Sequence, residues 1–122
     1  MRVAVIGASA HREKYGNKAV RSYVAQGHEV LPVNPREDRI EGLKVYASVV
    51  EIPGEIDRAL LYVPPETGIR VLADLAAKDV KEVFVNPGAE SDALFDAADK
   101  LGLNTVFACG IVDIGDSPSM YR

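Results

Sequence analysis

Apolar positions along this chain follow two rhythms in alternation. Short, mostly apolar runs occupy residues 2–6, 29–33, 56–63, 80–85 and 105–108, and their length and β-branched content predict strands buried on both faces. Helical spacing fills the intervals. Ala19, Val20, Tyr23 and Val24 mark one face of a helix that opens near Gly16 and Asn17 and ends at Gly27, a suitable C′ residue. Ile69, Leu72, Ala73 and Ala76 mark a second helix. Leu94, Phe95, Ala98 and Leu101 mark a third, with Ser91 as its cap. The remaining segments read as a mixed-charge loop up to Gly42, a short helical turn over residues 46–52 closed by Pro53-Gly54, and a polar, loosely held tail over residues 113–122.

Strands alternating with helices predict an α/β fold: a Rossmann-like, doubly wound parallel sheet of about five strands with helices on both faces. Counting strands in chain order, the expected arrangement is 3-2-1-4-5. Pro32 cannot donate to a ladder, so the second strand should be weakly paired. At 122 residues the chain reads as one domain, residues 1–122.

The strand ends carry the chemistry. The first strand stops at Gly7-Ala8-Ser9, followed by the polar loop His11-Arg12-Glu13-Lys14 and the first helix. A strand, a side-chain-poor turn and a helix N-terminus present backbone N–H groups to an anion. The dinucleotide fingerprint of spaced glycines is incomplete, because Gly16 is the next glycine after Gly7. Asn34-Pro35-Arg36, Tyr62-Val63-Pro64-Pro65 and Asn86-Pro87-Gly88 end their strands on the same rim. At the end of the second strand an NAD-preferring site usually has a carboxylate. Arg36 there suits a ribose that carries a phosphate, as in NADP or coenzyme A.

Composition narrows the classes. Hydrophobic residues make up 48% and charged residues 26%, ordinary values for a globular protein. Residues 1–46 hold eight Lys/Arg against five Asp/Glu, and the rest six against thirteen, so a basic first part is outweighed to a net −4. That balance argues against nonspecific nucleic-acid binding. The single cysteine excludes an internal disulfide, and a cytoplasmic setting is expected, with no signal peptide or membrane-crossing run. Two histidines and no ligand spacing predict no metal site.

Five motifs in order, Val-Ile-Gly-Ala-Ser (5–9), Leu-Pro-Val-Asn-Pro (31–35), Gly-x-x-x-Tyr (42–46), Glu-Ile-Pro (51–53) and Val-Asn-Pro-Gly-Ala-Glu-Ser (85–91), give the chain a specific likeness. It resembles the small bacterial CoA-binding domain proteins and, more distantly, the CoA-holding domain of succinyl-CoA synthetase α subunits. The resemblance implies that coenzyme A or an acyl-CoA is held through its ADP moiety. Gly7, Ala8 and Ser9 with Lys14 and Tyr15 would face the pyrophosphate. Asn34, Pro35 and Arg36 would border the ribose phosphate. Tyr62, Val63 and Pro64 would line the adenine side, and Asn86, Pro87 and Gly88 would flank the pantetheine path.

The synthetases also use a phosphorylated histidine from a separate domain, which this chain does not contain. His28 reads as a turn residue and His11 as a member of the phosphate loop. No nucleophile–base pattern is present, so the expected function is noncatalytic binding, with a regulatory role left open. The other classes are a small NADP-linked oxidoreductase fragment, and an interaction subunit whose site is completed by another chain. A homodimer or a partner subunit fits either. Cys109, at the end of the fifth strand, reads as a small hydrophobe, with a mixed disulfide to the CoA thiol as the alternative.

Overall fold

The computed structural model describes residues 1–122. Its elements are β1 (Arg2–Ile6), α1 (Tyr15–Ala25), β2 (Glu29–Val33), β3 (Arg39–Ile40), β4 (Leu43–Lys44), β5 (Arg58–Leu61), α2 (Pro65–Ala77), β6 (Glu82–Val85), α3 (Asp92–Lys100), β7 (Thr105–Phe107) and α4 (Gly110–Asp113). Single 3₁₀ turns lie at Val49–Glu51 and Pro118–Met120.

The runs predicted to be strands form one parallel five-stranded sheet in the order β2-β1-β5-β6-β7. Alternating side chains divide the core. Ala4, Ile6, Leu31, Ala59, Leu61 and Val85 face α2, α3 and the Val49 turn. Val3, Val5, Val30, Leu60 and Phe84 face Ala19, Val20 and Tyr23 of α1 and Ile111 of α4. The α/β, doubly wound expectation therefore holds, with helices on both faces. Leu72 and Leu75 of α2 are fully buried. Each withdraws enough apolar surface to contribute roughly 1.5–3 kcal/mol.

The strand order differs from the expected 3-2-1-4-5. Counting the five main strands, it is 2-1-3-4-5, the other common doubly wound order. The third strand lies against β1 rather than outside β2. Pro32 explains why. Its carbonyl faces the outer edge and accepts from Tyr46 N at 2.9 Å, and Asn34 N donates back to Tyr46 O at 3.0 Å. A full strand there would need the N–H that proline lacks, so only a single parallel bridge, Val33 to Tyr46, forms. Ala59, Leu60 and Leu61 carry no exposed surface, a burial only an interior strand offers.

Two further segments correct the sequence reading. The mixed-charge loop contains an antiparallel pair, β3 with β4, turning through Glu41 and Gly42. Residues 113–122 are docked against α1 instead of loose. Ser22 Oγ donates to Asp116 at 2.7 Å, Tyr121 OH donates to the same carboxylate, and Arg21 donates to the Arg122 carbonyl at 3.1 Å. Smaller shifts occur at helix ends. α1 begins one residue earlier than expected and leaves Val24 exposed, while Gln26 caps it and Gly27 follows at φ +83. Ser91 caps α3 by accepting from Leu94 N at 3.1 Å.

Candidate functional site

Every main strand points its carboxyl end to one rim, and there a cleft of about 520 Å³ opens. It starts at the turn after β1. Gly7 has φ +85, and a Cβ there would run into the Tyr62 carbonyl oxygen and lie 2.8 Å from Val63 Cγ1. Gly16 is tighter still, since a Cβ would meet the Gly7 carbonyl oxygen. The two glycines thus let the β1 turn, the β5 end and the start of α1 close on one another.

That closure leaves backbone donors unpaired along the cleft lining. The backbone amides of Ala8, Ser9, Tyr15 and Gly16 find no acceptor within the chain, while those of Gly7 and Asn17 are paired to Val33 O and Lys14 O. No side chain caps α1, and its first turn holds no acidic residue. The positive end of the helix dipole is therefore uncompensated, the arrangement that attracts an anion. Lys14, exposed on the cleft wall, has no ion-pair or hydrogen-bond partner.

Asparagines brace this frame. Asn17 is fully buried, donates to Ser9 O at 2.9 Å and to Glu41 at 3.1 Å, and accepts from Arg21 at 2.7 Å. Asn34 Nδ2 donates to Ala8 O at 2.8 Å, while its Oδ1 accepts from Arg36 N at 2.8 Å. Asn86 Nδ2 donates to Leu61 O at 3.0 Å, and its Oδ1 accepts from Gly110 N at 2.8 Å. The sequence marked Asn17 only as the start of a helix, and its bracing role was missed. The available signal was an asparagine within an apolar helical face, a place where it is tolerated only when its amide is paired.

The structure gathers most residues singled out from the sequence. Gly7, Ala8, Ser9, Lys14, Tyr15, Asn34, Tyr62, Val63, Pro64, Pro87 and Gly88 line the cleft, joined by Gly16, Leu61, Pro65 and Ala89. Three lie elsewhere. Pro35 lines an adjoining hollow of about 230 Å³ that shares Gly7 and Val63 with the cleft. Asn86 lines a further hollow of about 220 Å³ together with Cys109. Arg36 is exposed on the loop after β2, outside all three linings. His11 is exposed beside Glu13, and His28 Nδ1 lies 3.0 Å from the N-terminal amine, so neither lines the cleft.

Burial pushes the Tyr62 phenol well above its ordinary range, with Cys109 and Tyr23 nearby adding to the effect. Its hydroxyl is buried and has no hydrogen-bond partner. Tyr23, also raised by burial, donates to Gly110 O at 2.7 Å and accepts from Arg58 at 3.1 Å.

Known proteins share this fold. An acetyl-coenzyme A synthetase 1 of Candidatus Korarchaeum cryptofilum, solved with phosphate and ADP, superposes with a TM-score of 0.78 at 29% identity, covering 88% of this chain and 25% of that one. A conserved hypothetical protein of Pyrococcus furiosus superposes at 0.84 with 37% identity, over 92% of this chain and 97% of that one. The alpha subunit of ADP-forming acetate–CoA ligase II of Pyrococcus furiosus is 42% identical over 84 residues, which is 68% of this chain. The chain spans less than a fifth of the length of such ligase relatives, at 18%, 13% and 19%. A profile of the CoA binding domain matches residues 1–114, so the glycine-closed cleft sits in a chain that belongs to the CoA-binding domain family.

Proposed function

We propose that this chain binds coenzyme A or an acyl-CoA through the ADP moiety in the strand-end cleft, without catalysing a reaction itself. The observation that carries the reading is the set of unpartnered amides of Ala8, Ser9, Tyr15 and Gly16 at the uncapped start of α1. A pyrophosphate placed there would accept from these donors, with the Lys14 ammonium alongside. The adenosine end would lie toward Val63, Pro64 and the Pro35 hollow, with Arg36 reaching the ribose phosphate from the rim. Gly88 and Pro87 would border the pantetheine. Membership of the CoA-binding family supports the choice of this ligand over NADP.

Thermal shift with CoA, dephospho-CoA, NADP, NAD and ATP tests the reading. CoA is expected to raise the melting temperature most, with a shift that grows with ligand concentration. Stabilisation by NADP but not CoA would reverse the choice. Arg36→Ala is expected to weaken CoA more than dephospho-CoA, and equal losses would remove Arg36 from the ribose phosphate.

A second reading has its own support. Two of the ligase relatives are alpha subunits, of which this chain matches a small part. The domain would then present CoA to a site completed by another chain, and would bind CoA alone by the same cleft.

A further inference from the structure

A second hollow of about 220 Å³ adjoins the main cleft, sharing Tyr15, Tyr62 and Pro87 with it. Asn86, Cys109 and Pro118 complete its wall. Most of the polar groups there are already committed. Asn86 spends its amide on the Leu61 carbonyl and the Gly110 amide. The neighbouring Tyr23 hydroxyl is held between the Gly110 carbonyl and Arg58. Tyr62 is the exception, because its buried hydroxyl has no partner in the chain. A buried hydroxyl left unpaired carries its full desolvation penalty, and native proteins rarely retain one without a use.

We propose that Tyr62 is the residue by which this site distinguishes a short-chain thioester from a free thiol, its hydroxyl donating to the carbonyl oxygen of an acyl group lodged in the annex. The inference rests on the CoA reading above and deepens it, moving Tyr62 from the adenine side, where the resemblance put it, to the acyl end, because its ring also lines the Cys109 hollow. Burial holds the Tyr62 phenol protonated across neutral pH, so it stays a donor. A thiol sulfur is a weak acceptor and would leave that donor nearly as unsatisfied as it is now, whereas a carbonyl oxygen is a full acceptor. The proline rings and the Cys109 side chain supply apolar walls, and the volume suits an acyl group of a few carbons rather than a long chain.

Isothermal titration of wild type and Tyr62→Phe with free CoA, acetyl-CoA and lauroyl-CoA tests this. Wild type is expected to bind acetyl-CoA roughly three- to tenfold tighter than CoA, the span of one neutral hydrogen bond. Tyr62→Phe should erase that margin by weakening acetyl-CoA at least threefold more than it weakens free CoA. The variant should also melt at or above the wild-type temperature, since it deletes an unpaired buried hydroxyl. Lauroyl-CoA should show no such advantage over CoA.

Equal wild-type affinities for CoA and acetyl-CoA would overturn the role of Tyr62, as would a variant that weakens both equally; either result leaves the CoA reading of the cleft standing. So would a variant that melts lower, because the hydroxyl would then have a partner in the chain. If neither CoA nor acetyl-CoA binds the wild type, the CoA reading itself fails.

Discussion

Alanine in place of a helical glycine ordinarily stabilises by ~1 kcal/mol. Gly16 should show the opposite sign. It belongs to α1, but its missing side chain is the space occupied by the Gly7 carbonyl. Forcing a methyl into such a contact costs about 1–3 kcal/mol and displaces the turn. Gly16→Ala is therefore expected to lower stability in chemical denaturation and to abolish CoA binding, and a more stable variant would refute the close approach. Lys14 makes the contrasting case. Its side chain has no partner, so Lys14→Ala should change stability by less than about 0.5 kcal/mol. CoA affinity should nevertheless fall about tenfold and lose part of its salt dependence, as titration at two ionic strengths would show.

At the scale of elements, the strands were legible because short runs rich in apolar and β-branched residues leave few alternatives, and two of the helices because Gly27 and Ser91 punctuate them. What periodicity does not encode is which strand pairs with which. Pro32 held the needed clue, since an edge deprived of an N–H cannot host a third full strand, yet the clue becomes decisive only once Tyr46 is seen to occupy that edge. The cleft was legible as a set of strand ends. Arg36 was not placed, because loop side chains are set by local hydrogen bonds such as that from its own amide to Asn34.

The docked C-terminal segment was likewise invisible, because its order comes from Asp116 meeting Ser22 across tertiary distance, with Tyr121 closing locally on the same carboxylate. That tie predicts a pH dependence. Asp116 is held below the ordinary aspartate range by the hydroxyls of Tyr121 and Ser22, and Asp57 by the Arg2 amide and Lys81. A carboxyl so lowered adds stability while ionised above its unfolded value, and that contribution is lost as pH falls through the folded value. The melting temperature should therefore drop on acidification below the ordinary aspartate range. The Asp57→Asn, Asp116→Asn double variant should show a flatter profile by calorimetry, and an unchanged slope would show that other groups govern it.

For the molecule as a whole, the sheet acts as a rigid platform and the chemistry collects at one rim. A five-stranded parallel sheet covered on both faces leaves its strand ends as the main place where backbone amides and a helix N-terminus meet solvent together. The charge distribution agrees, because Lys14, Lys18 and Arg36 lie within the basic first part of an otherwise acidic chain. The most direct measurement is an amide chemical-shift map of the labelled protein during titration with CoA. The account predicts that the largest shifts fall on Gly7, Ala8, Ser9, Tyr15 and Gly16, with smaller ones at Tyr62, Val63 and Gly88. Saturable CoA binding that leaves the amides of Ala8, Ser9, Tyr15 and Gly16 unmoved would contradict it.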